Sequence, residues 1–178
     1  MSETLFRGVI FGVERFDAEL PDGRKVKREV VRHPGAAVVL PVLPDGRLLL
    51  VRVLREIFGR YLIEAPAGKL EEGEDPKEAA LRELEEETGY YAHSIEKLLE
   101  FYATPGFCDE RMHVYLATEL EEREQNLDDT EYVDPFPVTL DQALSLIREG
   151  EIEDGKTIAA VLYYAANSAR AASPVPEE

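Results

Sequence analysis

Ala65-Pro66-Ala67-Gly68-Lys69-Leu70-Glu71-Glu72-Gly73-Glu74 runs straight into Asp75-Pro76-Lys77-Glu78-Ala79-Ala80-Leu81-Arg82-Glu83-Leu84-Glu85-Glu86-Glu87-Thr88-Gly89. The second half is the best-marked helix in the chain. Asp75 suits the N-cap, Pro76 suits the first helical position, and Glu78 follows the cap at capping-box spacing. Gly89 suits the C′ position, so a helix is expected up to Thr88. At about 100° per residue, Glu83, Glu86 and Glu87 fall within an arc of about 100°. Leu81, Leu84 and Thr88 take the opposite side and can pack on a sheet. Like charges at these spacings cost a helix a few tenths of a kcal/mol per pair, and Arg82 offsets only part of that. A divalent cation removes the conflict, and hard oxygen donors suit Mg²⁺ or Mn²⁺ better than a thiol-loving metal. The bland alternative is a solvated acidic face. The glycine-bearing loop at fixed spacing weighs against it.

Outward from this segment the chain reads as strands with a few helices. Residues 5–31 alternate loosely around Pro21-Asp22-Gly23-Arg24 and predict two or three strands about a hairpin. Ala36–Val42 is a buried apolar run. Pro44-Asp45-Gly46-Arg47 is a second turn with Leu48–Val51 as its return strand, and Tyr61–Ala65 is a further strand stopped by Pro66. After the helix, strands are expected at Ile95–Tyr102, Met112–Ala117 and Tyr132–Val138, with Glu119–Thr130 as an acidic loop long enough to suspect function. Thr139 with Gln142 forms a capping box, Gly150 closes that helix, and a last helix covers about 157–171. The tail 173–178 should fray. The pattern is that of an α+β arrangement or α/β sandwich.

The chain has 178 residues, with 37 acidic against 20 basic, for a net charge of −17. That length fits one domain with a core of its own. So acidic a surface repels nucleic acid and anionic membranes as partners. One cysteine, Cys108, cannot pair internally, and no apolar run reaches the roughly 18 residues of a membrane span. The N-terminus lacks the uninterrupted apolar stretch of a signal peptide, so a cytoplasmic location is expected.

Gly68 to Tyr90 resembles the Nudix box, G-x5-E-x7-R-E-U-x-E-E-x-G-U. Gly68, Glu74, Arg82, Glu83, Leu84, Glu86, Glu87 and Gly89 match, and Tyr90 stands where an aliphatic residue is commoner. The resemblance implies an α/β/α sandwich with a mixed sheet and divalent-metal-dependent hydrolysis of a nucleoside diphosphate linked to another moiety. It implies that Glu83 and Glu87 ligate Mg²⁺, with Mn²⁺ able to substitute, that the Ala67 carbonyl joins them, and that Glu86 binds a second metal or supports the first. Arg82 is read as orienting the glutamates. Metal bridging the phosphate oxygens neutralises developing charge and activates water, and a carboxylate positions that water or takes its proton.

Three flanking stretches resemble the ADP-ribose pyrophosphatase subgroup. They are Thr104-Pro105-Gly106-Phe107 and its continuation to Ala117, Arg52-Val53-Leu54-Arg55 followed by Glu64-Ala65-Pro66-Ala67-Gly68, and Asp128-Asp129-Thr130-Glu131. Arg28, Arg55, Glu64 and Pro105 are the substrate-side residues this implies. Glu131 is the best match to a catalytic loop carboxylate, with Asp129 second. Asp154–Ala160 also resembles the subgroup, and His33 reads as a turn histidine. Tyr61, Tyr90, Tyr91 and Phe107 could stack on a base, but there is no tryptophan. The expected reaction is ADP-ribose to AMP and ribose 5-phosphate. The alternatives are a broader nucleotide-sugar diphosphatase acting on ADP-sugars or GDP-mannose, and a non-catalytic ADP-ribose-binding module. Residues 1–33 form a small N-terminal antiparallel sheet ahead of the 34–172 hydrolase domain. Its apolar residues Leu5, Phe6, Val9, Ile10, Phe11, Val13 and Phe16 need a surface to cover them, either the chain's own core or a second copy, and the resemblance implies homodimerisation through this sheet, with Arg28 reaching a substrate in the partner subunit.

Overall fold

The structure is a computed structural model and describes residues 2–127 and 129–171. Asp128 and the tail at 173–178 lie outside the described residues. Three antiparallel strands come first: β1 (Ser2–Arg7), β2 (Gly12–Glu19) and β3 (Lys25–Arg32). Next come β4 (Ala36–Pro41), β5 (Leu48–Arg55), β6 (Arg60–Glu64), β7 (Ala67–Lys69) and the helix α1 (Pro76–Thr88). Then follow β8 (Tyr90–Tyr102), β9 (Arg111–Glu122), β10 (Val133–Val138), α2 (Leu140–Glu149) and α3 (Gly155–Ala171).

The centre is a mixed sheet ordered β7-β4-β9-β8, in which β4 and β9 run parallel. All six residues of β4 are buried because both of its faces are covered. Ala37 and Val39 pack with Ala79, Ala80 and Leu84 of α1. Val38 and Leu40 face the other way, into a core shared with Leu48 and Leu50 of β5, Ala143 of α2 and Val161 of α3. This two-sided burial explains a continuous apolar run where a one-faced strand would alternate. The architecture is the α/β/α sandwich with a mixed sheet and an added N-terminal antiparallel sheet.

Three local expectations need correction. β5 is not the hairpin return of β4. The two share a single bridge, Val42 with Leu48, and β5 then joins the sheet β10-β5-β6. Leucines at 48 and 50 fill the core between sheets and gain more there than they would at a two-strand edge. Second, β8 and β9 are longer than their apolar centres. Tyr90–Ala92 pair with Leu120–Glu122, so the expected loop starts only after Glu122. Ala92 and Leu120 join the α1 core while Glu119 and Glu121 on either side of Leu120 are exposed, an alternation hidden by the run of acids. Third, α1 is capped by the Asp75 side chain accepting from Lys77 N at 2.8 Å, without a reciprocal bond from Glu78. The complete capping box is that of Thr139 with Gln142 in α2.

Candidate active site

The site is built where β7 crosses the acidic face of α1. Gly68 carries no side chain, and the Glu83 carboxylate occupies the space. A Cβ on Gly68 would lie 1.8 Å from Glu83 Oε1. One residue earlier, the Ala67 N–H donates to Glu87 Oε2 at 3.2 Å. Loop and helix therefore lock together through the two glutamates as well as through Leu70, which packs with Ala79, Ala80 and Leu84. Glu87 is only 6 % exposed. Burial, reinforced by the charge of Glu83, pushes its carboxyl up to about 8. Burial also raises the Glu83 carboxyl, outweighing the guanidinium beside it. Charged carboxylates in this position lack compensation.

Arg82 gathers the remaining acids. Its Nε donates to Glu74 Oε1 at 3.0 Å, and Nη1 donates to Glu83 at 2.7 Å and Glu86 at 2.9 Å. The Glu74 bond chiefly holds Arg82 above its ordinary range, and the same bond holds Glu74 low. Glu85, on the outward side, pairs instead with Arg123.

A cleft of about 380 Å³ opens along β7, and Arg55, Ala67, Gly68, Glu131 and Lys156 are among its walls. Arg55 is held from behind by Glu64, which takes Nε and Nη2 at 2.7 Å each. Glu64 is 2 % exposed. Burial alone would raise its carboxyl, but Arg55 and Lys156 together keep it below the ordinary range. Glu64 thus sits behind the cleft wall as the anchor of Arg55. Of the two loop carboxylates weighed from sequence, Glu131 lines the cleft. Glu86 lies to one side, with Arg82, Glu85 and Asn126.

Arg28 and Pro105 come together elsewhere. They line a separate cleft of about 370 Å³ with Phe16, Tyr102 and Phe107. It lies on the seam where β3 meets the segment 104–109, stitched by Val31 N to the Phe107 carbonyl at 2.7 Å and by Arg32 to Asp109 at 2.8 Å. His33 is the turn residue expected, its Nδ1 accepting from Gly35 N at 3.2 Å. Tyr61 and Phe107 are exposed, Tyr91 lies under Arg123, and Tyr90 is partly buried against the α1 core.

Lys156 escaped the sequence reading as a site residue. A signal was present: a lysine in the first turn of an apolar helix opposes the helix dipole and calls for an anionic neighbour.

A family model described as the NUDIX domain matches residues 31–161. The chain belongs to the Nudix family. The ADP-ribose pyrophosphatase of Bacillus subtilis (strain 168) is 47% identical over 163 residues, 90% of this chain and 88% of that protein. The methanol dehydrogenase activator of Bacillus methanolicus is 45% identical over 164 residues, 91% of this chain and 89% of that protein. A crystal structure described as an ADP compounds hydrolase shares the fold, with TM-score 0.81 at 24% identity over 97% of this chain and 94% of its own.

This chain is a Nudix hydrolase, and Nudix hydrolases generally use a divalent metal. Its donors fit that need. They are hard carboxylate oxygens, and burial pushes Glu83 and Glu87 toward protonation, Glu87 further because of the charge of Glu83. Among the described residues no three such side chains converge into a finished cage, and Arg82 Nη1 bridges Glu83 and Glu86. A cation held by these carboxylates would neutralise charge that Arg82 balances in part. No helix among the described residues is long and apolar enough to cross a membrane.

Proposed function

We propose that this Nudix hydrolase cleaves the pyrophosphate of ADP-ribose to AMP and ribose 5-phosphate, with Mg²⁺ as cofactor and Mn²⁺ able to substitute, acting in the cytoplasm. The observation that carries the reading is the pairing of partly buried Glu83 and buried Glu87 on the Ala67–Gly68 backbone beside a cleft walled by Arg55 and Glu131. The 47%-identical ADP-ribose pyrophosphatase supports the substrate.

Glu83, Glu87, Glu86 and the Ala67 carbonyl would hold the metal, which would supply charge neutralisation and a more acidic water. Arg55, fixed by Glu64, binds phosphate oxygens through its planar fork. Glu131, in the loop that precedes β10 and in the wall of the cleft, positions water or takes its proton. Arg82 orients the glutamates.

Residues 1–33 serve as the dimerisation segment of a homodimer. They carry seven basic and six acidic residues, against thirteen and thirty-one in the rest of the chain. A second copy's acidic body is the complementary surface, and Arg28 with Pro105 then contributes to a site completed across the interface. A stable interface needs roughly 1,200 Å² or more, and the exposed Phe6, Val9, Ile10 and Phe11 supply apolar area.

Chromatography of a panel of nucleoside-diphosphate derivatives tests the substrate. ADP-ribose should be turned over with AMP and ribose 5-phosphate as products, and adenosine or free phosphate as first product would reject a diphosphatase. A flat profile across ADP-sugars and GDP-mannose would favour the broader diphosphatase, and binding without turnover a non-catalytic module. Glu131→Gln should lower kcat with metal affinity retained. If Asp129→Asn is the crippled variant instead, the loop is read two residues out. The methanol dehydrogenase activator supports a second reading, activation of a dehydrogenase, seen as faster alcohol oxidation when the chain is added to such an enzyme.

A further inference from the structure

Lys156 is the second residue of α3, at the end of the helix that disfavours a cation. Two carboxylates hold it. Its ammonium bonds Glu64 Oε2 and lies 3.1 Å from Asp154 Oδ2. Both acids are tied down on their other sides. Glu64 receives the two-pronged Arg55 bond. Asp154 accepts from Thr157 N at 2.9 Å and Thr157 Oγ1 at 2.6 Å, and that hydroxyl accepts from Ala65 N at 2.6 Å. The circuit pins the backbone just before Ala67 to the first turn of α3.

An ammonium has three N–H groups. Two meet Glu64 and Asp154. The side chain is 10 % exposed and lines the catalytic cleft with Arg55 and Glu131, which leaves the third N–H for the occupant of the cleft. Arg55 and Lys156 thus stand on either side of one buried carboxylate, Glu64, and both reach the same cleft wall. A buried acid shared by two cations fixes their spacing, which a flexible lysine does not achieve alone.

We propose that Lys156 and Arg55 form a two-pronged anion clamp for the diphosphate of the substrate, with Glu64 as the positioning residue between them. This rests on the reading above that the cleft takes a nucleoside diphosphate. It adds Lys156 as a substrate-binding residue. The arginine supplies a flat fork for two oxygens and the lysine a point donor for a third.

The test measures ligand affinity by titration calorimetry in Mg²⁺, on the full chain, with α,β-methylene-ADP and with adenosine. Lys156→Gln should weaken α,β-methylene-ADP about tenfold or more, the scale of a lost charge-assisted bond, and leave adenosine within about twofold. Lys156→Arg should restore most of the difference. A purely structural lysine would weaken both ligands alike, and that outcome, or no change for either, overturns the clamp. Should Lys156→Gln fail to fold, the wild-type lysine ¹⁵Nζ spectrum decides. The Lys156 signal, assigned by its loss in Lys156→Arg, must shift with α,β-methylene-ADP and stay put with adenosine. Turnover of no diphosphate derivative alongside the expected affinity pattern would sink the diphosphatase reading and keep the clamp. Normal ADP-ribose turnover with KM unchanged in Lys156→Gln would do the reverse.

Discussion

The loop-helix segment from Gly68 to Gly89 and the N-terminal sheet from Ser2 to Arg32 are of opposite construction. In the first, Ala79, Ala80 and Leu84 are fully buried, and even the acids Glu83 and Glu87 are drawn in against the backbone of β7. In the second, no residue reaches full burial, and Val9 at 94 % exposed stands at the tip of its first hairpin. The helix is held by its own chain and strained by its charges. The sheet is charge-balanced, through pairs such as Arg15 with Glu29 and Arg32 with Glu14, and short of apolar cover. One region therefore asks for a cation and the other for a protein surface. The two needs are independent, so each can be removed without the other.

The largest effect should come from the helix. Glu83→Gln or Glu87→Gln should lower turnover of ADP-ribose by roughly a hundredfold or more, as loss of a metal ligand does, with the fold retained by circular dichroism. Glu85→Gln, one step round the same helix and paired to Arg123, should stay near wild type. Near-normal turnover of Glu83→Gln or Glu87→Gln would break the assignment of this face to metal. Next, Gly68→Ala should displace the Glu83 carboxylate and weaken divalent-cation binding by roughly tenfold, read by calorimetry, because the new methyl claims the space that carboxylate holds.

On the sheet, Val9→Asp with Phe11→Asp should convert a species of about twice the 20.0 kDa chain mass into a monomer by light scattering. Its melting temperature should fall and lose the protein-concentration dependence of the wild-type dimer, while the fold is retained because neither side chain is in the core. A wild-type monomer with full activity would refute both the dimer and the shared site. The pH response separates the regions further. The Glu87 carboxyl holds its proton in the folded state up to about 8, while the unfolded chain releases it near the ordinary carboxylate value of about 4.3. Across that window the native state binds more protons, so stability falls as pH rises. Metal-free protein should melt several degrees lower at pH 8 than at pH 6. Mg²⁺ or Glu87→Gln should flatten the slope. The smallest effect expected is that of Asp75→Ala, which removes the cap on Lys77 N and should cost about 1 kcal/mol. That corresponds to a melting shift of about 2–4 °C.

The helix was legible because its signals are local. Asp75, Pro76 and Gly89 mark its ends, and the angular spacing of three glutamates is fixed by the helix itself. The cleft wall was legible only in part. Arg55 and Glu64 stand nine residues apart on paired strands, yet what joins them to Lys156 is a contact across 92 residues. No periodicity reports such a contact. Glu87 was read as one of three projecting acids, but its burial follows from where β7 runs, a tertiary fact. The β4–β5 turn misled for a related reason. Its residues specify a reversal of direction, while the choice of partner strand depends on which sheet has room for Leu48 and Leu50. The extension of β9 past its apolar centre was hidden by the acids on either side of Leu120, and that of β8 by the polar His93 and Ser94 that follow Ala92.

The parallel pairing of β4 with β9 carries a consequence for the order of events during synthesis. Ala36 lies beside Met112 and Pro41 beside Ala117, so the middle of the sheet closes only after some seventy further residues have emerged. Until then a strand destined to be buried on both faces has no lateral neighbour on that side. Contacts this distant in sequence slow folding and prolong exposure to self-association. The antiparallel hairpin β2–β3 and the capped helix α1, which need only nearby residues, can form while the chain is still growing. The barrier to the native state should then lie in docking β9 alongside β4, and cooling or dilution during expression should raise the yield of soluble protein.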